Sequence, residues 1–295
     1  MKKFLKYIVF LFLLILGILY LLDYSFTTVY EKAVPRTKIQ YLRSLKGKKI
    51  DYIFLGSSRV ENAIIPKLIY DKTGKSAINL GFPASKLNDV FTILKLIKKY
   101  QIKFHKVYIQ VDYIYNMEDG HSNVLEWQLM PFINENEITR AYFNQYFRDN
   151  REVSMIPFYR YCRYEPKIGF REFFLNTLDK STPLIKNLGF IPLEGTSSNS
   201  HYSLPAEIKR NNKCFDQIDL FVRENNMNVS YFCAPFSLHA ENLSFVEKLQ
   251  LKIPGLYNFS KVVTNDAMFQ NYSHLNRDGA TFFTEIIIEK MLKDK

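Results

Sequence analysis

Glycine is scarce in this 295-residue chain, with only 11, well below the usual ~7%. That scarcity excludes the glycine-rich phosphate cradles. The Gly-Lys-Ser at 74–76 lacks the upstream glycine of a P-loop, and residues 56–59 (GSSR) hold a single glycine where a dinucleotide site needs several. Three cysteines, Cys162, Cys214 and Cys233, cannot staple a chain this long. Cys214 and Cys233 lie in apolar contexts and are expected as small buried hydrophobes. The five histidines (105, 121, 201, 239 and 274) share no metal-ligand spacing, so neither a metal nor a cofactor is expected. Internal repeats are absent. Long apolar runs are nearly absent too, since only one stretch reaches 18 residues.

The remainder is that of a folded protein. Hydrophobic residues make up 47% and aromatics 16%, which excludes a disordered chain and provides core for one large domain or two ordinary ones. The net charge of +11 is unevenly placed. Residues 1–50 carry ten Lys/Arg and two acids, +8, whereas the other 245 carry 30 basic and 27 acidic side chains, only +3. Nucleic acid is therefore not an expected partner. The basic excess lies beside the apolar run, where it meets anionic lipid headgroups or sets topology.

That run, residues 4–22 (FLKYIVFLFLLILGILYLL), has 19 residues and one charge, Lys6. As a helix it spans roughly 28 Å, close to the hydrocarbon thickness of a bilayer. Residues 20–24 (YLLDY) offer no small-x-small cleavage site and no lipid-anchor cysteine follows, so an uncleaved signal anchor is expected over 1–22 rather than a cleaved signal peptide. Lys2, Lys3 and Lys6 precede the run, while Lys32, Arg36 and Lys38 follow it. Charge alone does not decide orientation. The expectation is a single-pass protein with a cytoplasmic N-terminus, a basic stalk over 23–50 and an extracytoplasmic domain over 51–295.

Within that domain, β-prone runs end on turn residues: 51–55 before Gly56, 76–80 before Gly81, 107–111 before Asp112, 229–233 before Ala234-Pro235, and a weaker fifth at 259–263. Helical stripes lie between them: Leu87, Val90 or Phe91, Leu94 and Ile97 behind an N-cap at Ser85; Ile208, Phe215, Ile218 and Val222; and Ala280, Phe283, Ile287 and Met291. Alternating strands and helices predict an α/β fold, a parallel sheet covered on both faces in three layers. Residues 113–203 break the alternation. They are rich in Tyr and Phe, carry several short helices such as 171–178, and are expected as a helical insertion between the third and fourth strands, or a lid, with a polar loop at 196–200.

Two strand ends invite chemistry. Ser57-Ser58-Arg59 follows Gly56 at the C-terminal edge of the sheet, where open α/β folds bind ligands. Either serine is a nucleophile if a base reaches it, or a helix N-cap. His274 stands in a polar loop just before the last helix, and histidine is the usual general base near neutral pH.

The pieces Gly56-Ser57-Ser58-Arg59, Asn79-Leu80-Gly81, and His274-Leu275-Asn276 followed by Gly279-Ala280 together resemble the SGNH/GDSL hydrolase superfamily. They resemble most its membrane-anchored cell-envelope branches, such as the D-alanyl-lipoteichoic-acid and alginate O-acetylation proteins. The likeness covers about 51–112 and 228–292. It implies a flavodoxin-like sheet, Ser58 as nucleophile and His274 as its base. It also implies an oxyanion site at the Ser58 and Gly81 N–H groups, with Asn79, Arg59 and Asp112 among the oxyanion or substrate residues. The implied partners are an envelope glycan or acyl donor, the membrane and envelope-biosynthesis proteins. This chain departs from the pattern twice. Asn271 stands where the family has an aspartate three residues before the histidine; in a serine-protease triad such a change lowers turnover about 10⁴-fold. Asp266 and Asp278 are the alternative orienters. The asparagine of the third block is also not evident, leaving Asp112 or Asn116 for that place. A catalytically degenerate module that binds glycan or scaffolds an envelope complex is thus the rival reading.

Overall fold

A computed structural model describes residues 1–146, 152–196 and 202–293. Four of the five residues expected as a polar loop, 197–200, lie outside it. The chain forms two compact units: Met1–Ser44 with Glu126–Thr182, and Leu45–Leu125 with Pro183–Lys295.

The first unit is helical. Helix α1 (Lys2–Lys32) is continuous through the apolar run and ten residues beyond it. It is long and apolar enough to cross a membrane, with mean hydropathy 2.6 over its best window and none of that window buried. Beyond the run the helix becomes a packing surface, and residues 23–44 pack within this unit. Phe26 and Tyr30 are buried; Phe26 stacks on Phe173 at 4.2 Å between centroids and meets Phe158 edge-on at 4.8 Å. Asp23 Oδ2 accepts the Phe158 N–H at 2.7 Å and Asp23 Oδ1 accepts from Arg160 at 2.6 Å. Pro35 follows the helix end. In α2 (Lys38–Ser44), Gln40 donates to Tyr30 O and to Asn176 Oδ1. Arg43 pairs with Glu135 through both carboxylate oxygens. The reason is local composition: Phe26, Tyr30, Ile39 and Leu42 are apolar at helical spacing, and the aromatic-rich 126–182 segment supplies their partners. The expected insertion is correspondingly narrower, because 113–125 and 183–196 belong to the other unit.

The second unit is α/β. Strands β1 (Lys49–Gly56), β2 (Ala77–Gly81), β3 (Lys103–Gln110), β4 (Val229–Cys233) and β5 (Tyr257–Asn258) form one parallel sheet in the order β2-β1-β3-β4-β5. The fifth strand lies two residues earlier than expected and is only two residues long. Phe259 then bonds back to Cys233 O. Side chains alternate across the pleat. Tyr52, Phe54, Tyr108 and Phe232 share a core with Val60, Phe283 and Ile287 on one face, which brings together α3 (Ser58–Glu61), α4 (Pro66–Thr73) and the C-terminal helix Arg277–Ile287. Ile53, Leu55, Val107 and Ile109, all fully buried, take the other face, where α5 (Leu87–Lys99) packs. The α5 cap is Lys86 rather than Ser85, because the Asp89 carboxylate accepts the Lys86 N–H at 2.8 Å. Cys214 and Cys233 are buried and unbridged, as their apolar contexts predict, and burial pushes each thiol up to about 12.

Candidate active site

The chain runs from β1 outward to β2 and then crosses to β3 on the opposite side of β1. That reversal falls at β1 and β3, and the C-terminal ends of strands at such a point are the usual ligand position in open α/β sheets. Ser58 follows β1 directly. The two adjacent hydroxyls have different duties. Ser57 is the N-cap, its Oγ accepting the Arg59 N–H at 3.3 Å while donating to Gln110 Oε1 at 3.0 Å. Ser58 is left to face the histidine: Ser58 Oγ lies 2.7 Å from His274 Nε2.

His274 is held by the hairpin β6 (Phe269–Asn271) and β7 (His274–Leu275), in which Asn271 and His274 are cross-strand partners. A two-residue turn thus explains the three-residue spacing. Asn271 Oδ1 accepts the backbone N–H groups of Ser273 and His274, both at 3.0 Å, which identifies that atom as the carbonyl oxygen. It also lies 3.0 Å from His274 Nδ1. A carbonyl can only accept, so Nδ1 carries the proton and Nε2 presents its lone pair to Ser58, the tautomer a general base needs. Ser273 Oγ, 3.0 Å from the same Nδ1, is a contact with no signal in the spacing.

The alternative orienters do other things. Asp266 bonds Ser237 and His239, and Asp278 is exposed in the first turn of the C-terminal helix. Asn116, a candidate for the third-block asparagine, bonds the backbone at Glu207 and Lys209. The remaining motif residues support the hairpin. Asn276 caps the last helix by accepting the Gly279 N–H at 3.0 Å, and a Cβ at Gly279 would strike the Met268 carbonyl.

Four residues expected to contact oxyanion or substrate are engaged elsewhere. Asn79 is fully buried and donates to Val60 O at 2.7 Å and Ile64 O at 2.9 Å. Its Oδ1 accepts the Gly81 N–H at 3.0 Å, so the second expected oxyanion donor is already paired. Gly81 is needed for close approach: a Cβ there would lie 2.5 Å from Glu61 N and 2.6 Å from Ser57 O. The Ser58 N–H remains, at the head of α3, where first-turn donors have no intrahelical partner. Arg59 and Asp112 are buried and bonded to each other beneath the dyad. Arg59 also donates from Nε to Ser273 O at 3.0 Å and from one terminal nitrogen to Ala234 O and Pro235 O, with its guanidinium 3.4 Å above the Phe236 ring. Asp112 Oδ1 accepts the Ile114 N–H at 3.1 Å and its Oδ2 accepts from Gln110 Nε2. The ends of β1, β3 and β4 and the His274 hairpin are thus tied to one cation.

Burial lowers the His274 pKa, and the Arg59 charge lowers it further, to about 4 from its usual 6.5. At neutral pH the ring is neutral and available as a base. The folded value lies below the unfolded one, so this group's contribution to stability is complete above pH 6.5 and is lost as pH falls toward 4. Wild type should therefore lose more unfolding free energy than His274→Gln between pH 7 and pH 4.5, by about 1–3 kcal/mol in urea titrations. Equal losses would contradict the shift.

Asn271 also borders a cavity of about 340 Å³ lined by Ser237, His239, Asp266 and Tyr272. Among the described residues no three His, Cys, Asp or Glu side chains gather as a metal site. No protein family and no curated protein sequence matches the chain.

Proposed function

We propose that this is a membrane-anchored serine esterase or O-acyltransferase, of SGNH-like type, acting on a cell-envelope polysaccharide through an acyl-enzyme. The observation that carries the reading is the 2.7 Å contact between Ser58 Oγ and His274 Nε2, with Nδ1 turned to Asn271. The strand order β2-β1-β3-β4-β5 agrees with a flavodoxin-like sheet. Ser58 Oγ attacks an ester carbonyl as His274 takes the hydroxyl proton; the Ser58 N–H faces the developing oxyanion. His274 returns the proton to the leaving alcohol. Water or a sugar hydroxyl then attacks the acyl-serine, yielding its proton to His274, which passes it to the departing Ser58 Oγ as free acid or a new ester is released. The domain would stand on the extracytoplasmic side, where envelope glycan, acyl donor and partner biosynthesis proteins meet it.

The test is covalent labelling by a fluorophosphonate probe. Wild type should be labelled at Ser58, and Ser58→Ala, an exchange at a half-buried position, should fold and stay unlabelled. An unlabelled wild type, or labelling that survives the substitution, overturns the proposal. A second reading, a degenerate module that binds glycan without turnover, is favoured by the neutral Asn271, the low His274 pKa and the paired Gly81 N–H. It expects no labelling but retained glycan binding.

A further inference from the structure

Unit Met1–Ser44 with Glu126–Thr182 carries an apolar surface that its own core does not use. Met155, Ile156, Tyr159 and Phe170 are 71%, 45%, 37% and 49% exposed. They are not scattered. The Phe158 N–H is bonded to Asp23, one residue past the apolar run, and Phe170 packs edge-on against Phe26 at 5.3 Å. Phe26 lies four residues beyond Leu22, or about 6 Å along the helix axis. The polar headgroup layer of a bilayer is itself about 5–8 Å deep on each side. These side chains therefore stand at headgroup depth beside α1.

Three further observations agree. Tyr20 and Tyr24, 60% and 71% exposed at the end of the run, sit where amphipathic aromatics favour the interface. The Asp23 charge at this level is neutralised by Arg160, so the contact does not carry an unpaired carboxylate toward lipid. Lys167 and Arg171, both exposed and flanking Phe170 in sequence, have stems long enough to stay apolar while their cations reach phosphate. The helix Phe170–Thr177 then climbs away from that level, since Asp179, just past its end, bonds the Val34 N–H. Phe174 and Leu178, on the same face as Phe170 by their four-residue spacing, stand progressively farther out.

We propose that the tip formed by Met155, Ile156, Tyr159 and Phe170 seats in the headgroup layer of the bilayer that α1 spans, giving the unit a second, peripheral membrane contact. The proposal rests on α1 spanning the membrane. It is independent of the catalytic reading.

The test uses the full chain in phosphatidylcholine–phosphatidylglycerol vesicles. In a Cys162→Ser background, with Cys214 and Cys233 buried, single cysteines at Met155, Ile156, Phe174 and Leu178 receive a nitroxide. Accessibility to oxygen and to a water-soluble nickel chelate is then compared. Leu14→Cys is the lipid control. Leu251→Cys, 87% exposed in the other unit, is the aqueous control. Oxygen-to-nickel ratios at 155 and 156 should exceed that at 251 several-fold, with 174 lower and 178 close to 251. If 155 and 156 read as aqueous while Leu14 reads as lipid, the seating is wrong. If Leu14 also reads as aqueous, the span has failed and the seating with it. Shielding of 155 and 156 from both relaxers would mean a protein partner covers the tip, and would also overturn the proposal.

Discussion

If the proposed serine-esterase reading holds, Asn271→Asp should raise turnover by about 10²–10⁴-fold, the inverse of removing a triad carboxylate. The geometry for the gain is already present. Asn271 Oδ1 accepts the His274 Nδ1–H, two backbone N–H groups and the Ser273 hydroxyl, and the two oxygens of a carboxylate can accept all four. The one lost bond is from Asn271 Nδ2 to Gln270 Oε1 at 2.7 Å, and rotation of the Gln270 amide supplies a donor in its place. What the neutral amide lacks is charge. When Ser58 gives up its proton the ring becomes an imidazolium, buried and already disfavoured by Arg59, and only a negative neighbour offsets that cost. The substitution should also move the acid limb of kcat/KM upward from about 4. Kinetics on a p-nitrophenyl acetate series across pH 3–8 read both effects. A pH limb that moves without a gain in rate would mark a site retired for reasons beyond the missing carboxylate, favouring the glycan-binding module.

Arg59→Met should cost about 3–5 kcal/mol of folding free energy, because it strands a buried charge. Both side chains of the pair are shielded from solvent, at 1% and 0% exposure. Burial pushes the Arg59 pKa down, but Asp112 together with the nearby Cys233, Tyr113 and Tyr202 outweighs it and the net shift is upward. Removing the guanidinium leaves Asp112 with Gln110 and one backbone N–H, and frees the carbonyls of Ser273, Ala234 and Pro235. The Ser273 bond carries the consequence for function, since it holds the hairpin that presents His274. Asp112→Asn keeps an acceptor and the volume and should cost less, so it remains measurable if Arg59→Met does not fold. Urea unfolding of both variants decides the matter. A loss under about 1 kcal/mol in Arg59→Met would contradict the account.

How much of this was visible before folding differs from residue to residue. Ser58 was readable because it follows a strand-end signal, His274 because it stands in a polar loop just before the last helix, and the Asn271–His274 spacing only through the resemblance, since the hairpin that makes it appears on folding. Gly81 and Asn79 were readable as a motif yet not in their roles: a donor at a strand end looks identical on paper whether it faces a ligand or its neighbour's amide. Arg59 and Asp112 are 53 residues apart, and no periodicity reports a pair that meets only when β1 and β3 lie side by side. The segment after the apolar run looked like a stalk because its lysines and arginines are hydrophilic. Its partners, Phe158, Tyr161, Glu172 and Asn176, lie more than 130 residues away.

Local chemistry alone therefore settled the membrane-length helix, the alternation of strand and helix, the strand end that carries the hydroxyl and the pre-helix loop that carries the imidazole. Each depends on residues within one turn or one strand, where period and capping are written in order. Tertiary structure alone decided that Ser58 Oγ meets Nε2, that Asn271 orients the ring, that Asn79 takes the Gly81 N–H, and that a buried arginine ties the site together. Those depend on parallel register and on crossover, which bring distant residues to one edge of a sheet, and contacts of that range leave no trace in the order of neighbours along the chain.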